Sequence, residues 1–293
     1  MTDIGDRESL GELPDPLGLA GIEFVEYATA RPQALGRLLE ALGFVAVARH
    51  RSREVTLYRQ GPMNVVVNAH GRAPAGSPEE AHDAPVIAAF ALRVRDAAAA
   101  YQRALDRGAW AVPVQVQPME LHIPAIHGVA SSRIYFVDRW QEFSIYDVDF
   151  VPVPGAPRHP ESPAGLRWFG LVQYIGNDRT PDWTDFYEEL LGFRALPDGQ
   201  RFGILPKGRV LQSPCGTFYL QLIEPEPGIL EVDDRESLAR VAFGAPDVLK
   251  AVDLLRARGV EFFEAEKLHS DVQGALTKPA LHGVTFELVR VPR

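Results

Sequence analysis

Four polar side chains interrupt apolar, strand-like runs: Gln173 in Leu171-Val172-Gln173-Tyr174, Gln221 in Tyr219-Leu220-Gln221-Leu222, Arg240 in Ala239-Arg240-Val241-Ala242 and Glu287 in Phe286-Glu287-Leu288. Glu287 is the plausible general base of the set. Arg240 can pair with Glu287 or offer its planar fork to a substrate carboxylate. One carboxylate and one cation suit proton transfer or isomerisation better than oxygen activation. Phe169 and Phe243 stand nearby in the sequence as candidate apolar walls.

The remaining reactive residues read as structural. His122 and His127 flank Ile123-Pro124-Ala125-Ile126. A Pro-containing loop puts them on no common helix face, so a metal pair is not expected. His269 and His282 read as solvated loop residues, and a rearranged site built from His269, His282 and Glu287 is the weaker alternative. Cys215 is the single cysteine, which excludes an intrachain disulfide and a cysteine-based zinc cage. It reads as a small residue in the turn Ser213-Pro214-Cys215-Gly216. No Gly-rich phosphate loop, nucleophile elbow or HExxH pattern is present.

The bulk properties narrow the partners. A net charge of -9 over 293 residues argues against nucleic acid. No apolar run reaches the roughly 20 residues of a membrane span, and Met1 to Gly18 is acidic, without the pattern of a signal peptide. The expected location is cytoplasmic and the expected partner a small organic acid, with no nucleic acid and no membrane. A homodimer is compatible with these numbers.

Four segments share one grammar: a short apolar strand, an amphipathic helix ending at glycine, then β-rich sequence. The first opens at Gly21 to Tyr27, has its helix from Gln33 to Ala41 and closes through Gly43-Phe44, Val55 to Tyr58 and Met63 to Val67. The second opens at Val86 to Val94, with a helix from Ala97 to Leu105 and last strands at Ser132 to Val137 and Phe143 to Asp149. The third runs from Trp168 to Ile175 through a helix, Asp182 to Leu191, to Thr217 to Ile223. The fourth runs from Ala239 to Phe243 through a helix, Val248 to Arg256, to Val284 to Val289. Each unit alone would expose an apolar sheet face, so the units must pair. The expected fold class is α+β, with four βαβββ units paired into two domains of concave mixed sheets. Residues 1–18 read as a tail, 19–150 as the first domain, 151–164 as a Pro-rich linker outside any sheet, and 165–293 as the second domain with the candidate site.

On these units the N-terminal half resembles the 4-hydroxyphenylpyruvate dioxygenases of the vicinal-oxygen-chelate superfamily. The resemblance rests on Phe24-Val25-Glu26-Tyr27-Ala28, Ala41-Leu42-Gly43-Phe44, Ala48-Arg49-His50-Arg51-Ser52, Val55 to Gly61, Ile123-Pro124-Ala125-Ile126, Tyr135 to Arg139 and Ser144 to Phe150. It implies that this half is non-catalytic and that Glu26 is structural. It also implies a C-terminal catalytic domain in which two histidines and one carboxylate hold iron(II). The position implied for the first histidine reads Leu171, that for the second reads Arg240, and that for the carboxylate reads Glu287. The chain also ends at Arg293, so the family's C-terminal helix is expected to be missing.

A fixed cation roughly 4 Å from a divalent metal costs several kcal/mol at an effective dielectric near 20. Iron is therefore not expected as a cofactor. The expectation is a cavity in which Arg240 replaces the metal's charge and Gln173, Gln221, Arg240 and Glu287 bind an aromatic or other 2-oxo acid, with Phe169 and Phe243 as walls. The bland reading is that Arg240 and Glu287 merely neutralise each other in a relic core. Two other functions compete: a genuine Fe(II)-dependent dioxygenase with misplaced ligands, and a non-catalytic protein that sequesters a small acid. Enzymatic activity of the dioxygenase lineage is the favoured expectation.

Overall fold

The computed structural model describes residues 15–69, 84–113, 120–141, 143–197, 203, 208–225, 236–265 and 268–291. Eight strands form the first sheet: β1 Gly21–Ala28, β2 Val45–His50, β3 Val55–Gln60, β4 Met63–Asn68, β5 Val86–Arg93, β6 Ala125–His127, β7 Arg133–Val137 and β8 Phe150–Pro152. Their order is β6-β7-β5-β1-β4-β3-β2-β8. The second sheet takes β9 Arg167–Tyr174, β10 Arg194–Ala195, β11 Arg209–Gln212, β12 Tyr219–Ile223, β13 Ser237–Ala245, β16 Gly274–Leu276 and β17 Phe286–Arg290, in the order β10-β11-β12-β9-β13-β17-β16. β14 Glu264–Ala265 and β15 Leu268–His269 form a separate ribbon.

The pairing rule is the same in both sheets. β1 runs antiparallel to β5 and parallel to β4, as β9 runs antiparallel to β13 and parallel to β12. The two sheets therefore have the α+β, paired-unit architecture that the repeats imply. The helices repeat in kind as well. α1 Pro32–Ala41 and α4 Thr180–Leu191 each begin with proline in the first turn, where its missing N–H costs nothing. α2 Ala97–Asp106 and α5 Val248–Ala257 each begin at an aspartate: the Ala99 N–H donates to Asp96 and the Lys250 N–H to Asp247.

Alternation sorts the side chains into three apolar groups. One face of each sheet, together with Leu35, Leu39, Tyr187, Leu191 and Leu255 from the helices, forms a single core common to both halves. Inside it the Phe44 ring lies 5.9 Å from Phe243, and Tyr27 lies 6.5 Å from Phe286. The other face of the first sheet carries Phe24, Val55, Val66 and Ala91, covered by Ile145 and Tyr146. The other face of the second sheet carries Phe169, Ala242, Val289 and Val291. The two non-core faces consequently point away from each other. None of the helices among the described residues is long and apolar enough to cross a membrane.

Two local expectations need correction. The stretch Phe143 to Asp149, expected as a strand, contains a helical turn, α3 Tyr146–Asp149. Both the backbone N–H and the hydroxyl of Ser144 donate to the Asp147 carboxylate at 2.9 Å, an Ser-x-x-Asp arrangement that turns the chain there. Val151 and Pro152, expected in the linker, belong to β8, which pairs with β2 at the sheet edge. An edge strand tolerates proline because one side of it needs no ladder bond. The expected tail of residues 1–18 falls mostly outside the described residues.

Candidate functional site

Two rows of residues cross the centre of the second sheet on its non-core face. In one row Tyr219, Gly170, Ala242 and Glu287 are register partners across β12, β9, β13 and β17. In the next row Gln221, Val172 and Arg240 are partners across β12, β9 and β13. Arg240 and Glu287 thus stand on one face in neighbouring rows, both almost wholly buried at 5% and 2% exposure.

Arg240 Nε donates to Glu287 Oε2 at 3.4 Å, and its Nη1 donates to the Tyr174 hydroxyl at 3.4 Å. Its Nη2 is buried and has no hydrogen-bond partner. A buried donor left unsatisfied costs about 1–3 kcal/mol, more when charged. The guanidinium therefore has long bonds from two of its nitrogens and no partner for the third. Beside it Phe169 packs on Tyr219 with ring centroids 5.0 Å apart, part of the apolar cluster with Ala242, Val289 and Val291. The backbone at Gly203 lies directly over the carboxylate, since a Cβ there would sit 2.3 Å from Glu287 Oε1.

The expected set is only partly brought together. Arg240, Glu287, Gln221 and Phe169 share the non-core face. Gln173 and Phe243 do not. Gln173 faces the common core, fully buried, where the Tyr187 hydroxyl donates to its Oε1 at 2.8 Å. Burial pushes the Tyr187 hydroxyl well above the ordinary phenol value, so it stays a donor. Phe243 is stacked between Trp168 at 5.7 Å and Phe286 at 5.6 Å, in the same core.

Leu171 belongs to that core too. The β9 position in the row of Glu287 is its neighbour Gly170. A Cβ at Gly170 would lie 2.1 Å from the Tyr219 carbonyl oxygen, so the backbone there admits no side chain as it stands. Tyr174, Tyr219 and Gly203 were not singled out from the sequence. Tyr174 lies two residues beyond Val172, the register partner of Arg240 in β9, and so shares its face by alternation.

The donor set does not suit a two-histidine, one-carboxylate metal centre. Its members are a carboxylate bonded by a guanidinium, and a glycine in the carboxylate's row. The histidines of this half lie elsewhere: His269 is exposed in the β14–β15 ribbon, and His282 is exposed with its Nε2 3.5 Å from Arg31 Nη1. Among the described residues no group of three or more histidines, cysteines, aspartates or glutamates could hold a metal ion.

Residues 13–151 match the family described as "Hydroxyphenylpyruvate dioxygenase, HPPD, N-terminal", and residues 170–279 match the "Glyoxalase/Bleomycin resistance protein/Dioxygenase superfamily". A 4-hydroxyphenylpyruvate dioxygenase of Pseudomonas sp. (strain P.J. 874) is 36% identical over 86% of this chain and 73% of its own length. The hemolysin VllY of Vibrio vulnificus (strain CMCP6) is 35% identical over 89% of this chain and 78% of its own. Among solved structures, a xylose isomerase-like TIM barrel/4-hydroxyphenylpyruvate dioxygenase fusion protein superposes with a TM-score of 0.73 at 28% identity. That match covers 98% of this chain and 51% of the fusion protein.

Proposed function

Since this chain belongs to the 4-hydroxyphenylpyruvate dioxygenase-like branch of the vicinal-oxygen-chelate superfamily, we propose that it binds an aromatic or other 2-oxo acid, or a related carboxylate, on the non-core face of its C-terminal sheet, without the iron triad. The observation that carries this reading is the buried Arg240 Nη2 with no partner, next to the Tyr174 hydroxyl. A ligand carboxylate would satisfy that donor with a charge-assisted hydrogen bond. The acid's ring or chain would rest on Phe169 and Tyr219, with Gln221 as a further polar contact.

Glu287 is the base in this scheme. When the ligand takes over the guanidinium, Glu287 gives up its bond from Arg240 Nε and accepts a proton from the carbon next to the oxo group. The charge that develops falls on the oxo oxygen, next to the carboxylate that Arg240 holds. Proton transfer or isomerisation is the reaction class proposed.

The test is titration of the protein with phenylpyruvate, followed by calorimetry, and exchange of the C3 protons in heavy water, followed by NMR against a protein-free control. Binding lost in Arg240→Met, with exchange lost but binding kept in Glu287→Gln, is the expected result. Binding without exchange above the control would assign the chain to sequestration instead. About one equivalent of iron after anaerobic incubation with iron(II), lost in Glu287→Ala, would overturn the metal-free reading and restore the dioxygenase one.

A further inference from the structure

The first sheet holds a cavity, on the face opposite the common core, that the proposed acid site does not use. It has a volume of about 590 Å³, within the range of small-molecule pockets. Phe24, Tyr135, Tyr146 and Phe150 supply aromatic walls, and Glu26, Asp149, Arg53, Arg133, Glu120 and His50 supply its charge-bearing lining.

The charges leave a residue of one sign. Arg133 Nη2 is 3.0 Å from Glu26 Oε1, and Arg53 is paired with Glu120. Burial lowers the pKa of His50, which keeps its ring neutral near pH 7. Asp149 lies within the same lining; its carboxylate accepts the Leu121 N–H at 3.2 Å and has no ion pair among the described residues. Three carboxylates against two guanidinium groups give the cavity one excess negative charge.

Glu26 supplies the second observation. It is 5% exposed, and both of its hydrogen bonds, from Asn68 Nδ2 at 2.9 Å and from Arg133 Nη2, fall on Oε1. Oε2 receives none from the described residues, although Glu26 lines the cavity. Oε2 therefore keeps its acceptor capacity on a residue that lines the cavity, and a ligand N–H is the group that would use it. Tyr135 beside it is pushed up to about 12 by burial and then by the Glu26 charge, so its hydroxyl stays protonated.

We infer that this cavity is a binding site for a protonated arylalkylamine, with the ammonium group directed at Glu26 Oε2 and Asp149 and the ring held among Phe24, Tyr135 and Tyr146. Aromatic faces add to the attraction for a cation in such a setting. The site is independent of the acid-binding reading, and the two pockets select opposite charges.

The experiment is calorimetric titration of the full chain with tyramine and, separately, with 4-hydroxyphenylacetate, which has the same ring and the opposite charge. The expected result is one tyramine bound per chain, no saturable binding of the acid to this cavity, and unchanged tyramine binding in Arg240→Met. Glu26→Gln and Asp149→Asn are each expected to weaken tyramine about tenfold, the size of one lost charge-assisted contact. Asp149→Asn keeps an acceptor for the Leu121 N–H, so it decides the matter if Glu26→Gln fails to fold. No saturation at about 10 mM tyramine, well above the weak end of specific binding, overturns the inference. So does tyramine binding that is lost in Arg240→Met, or that survives the Asp149 substitution unchanged.

Discussion

Arg258, the residue that follows α5, donates through Nε to the carbonyl oxygen of Ala41 at 3.0 Å, at the end of α1 in the other half of the chain. Its Nη2 donates to the Glu40 carbonyl at 2.8 Å. The last carbonyls of a helix lack intrahelical partners and carry partial negative charge, so a guanidinium from a distant segment is a fitting cap.

Arg258→Ala is expected to lower stability by about 1 kcal/mol, the usual worth of an exposed charge at a helix C-terminus. Arg258→Lys, which keeps the charge and loses the fork, should recover part of it. Urea unfolding of the three proteins measures this. Equal midpoints would mean that the contact contributes nothing in solution.

Gln173→Leu separates the core from the cavity. It orphans the buried Tyr187 hydroxyl, for a cost of about 1–3 kcal/mol. Because Gln173 lies on the core face, the affinity for phenylpyruvate should not change. A loss of binding larger than the loss of stability would place Gln173 back in the site.

Gly170→Ala tests the close approach of β9 and β12. The added methyl would meet the Tyr219 carbonyl at 2.1 Å, and overpacking against backbone should cost roughly 3 kcal/mol. A Gly170→His, Arg240→His double substitution is accordingly expected to yield unfolded protein and no iron centre. Thermal melts and elemental analysis read both outcomes.

Glu224 gives the acid side of the stability curve. The Thr180 hydroxyl donates to it, and the Thr180 N–H does so at 2.8 Å; together they hold its carboxyl below the ordinary 4.5, the hydroxyl bond having the larger effect. The folded state therefore binds this proton more weakly than the unfolded chain. The stability it contributes is complete above about pH 4.5 and lost as pH falls through the depressed value. Glu224→Gln should show a shallower loss of melting temperature between about pH 5 and pH 3 than the parent protein.

Much of the fold was legible because periodicity and punctuation agree. Leu35, Leu38 and Leu39 mark α1, and a Gly-Phe pair, Gly43-Phe44 or Gly192-Phe193, follows the end of α1 and of α4. Ser144 and Asp147 carry a readable turn signal that alternation alone hides. The site was harder. Arg240 and Glu287 lie on one face as expected, but Gln173 took its phase from Leu171, one residue away from the position in Glu287's row. Shifts in register between Leu238 and Arg240 and between Ala242 and Phe243 break simple counting across β9 and β13. For Phe243, strict parity with Arg240 already assigns the opposite face.

The common core also bears on what the connecting segment does. Phe44 against Phe243, Tyr27 against Phe286 and the Arg258 cap are contacts between halves that need no covalent link. A single proteolytic nick near Gly155 would therefore leave two fragments still clasped, and separately made fragments should reassociate by complementation. Either fragment kept by itself would have a greasy flank facing water and would tend to clump. Continuity of the chain sets the pace at which the halves meet; their mutual fit sets how long they stay.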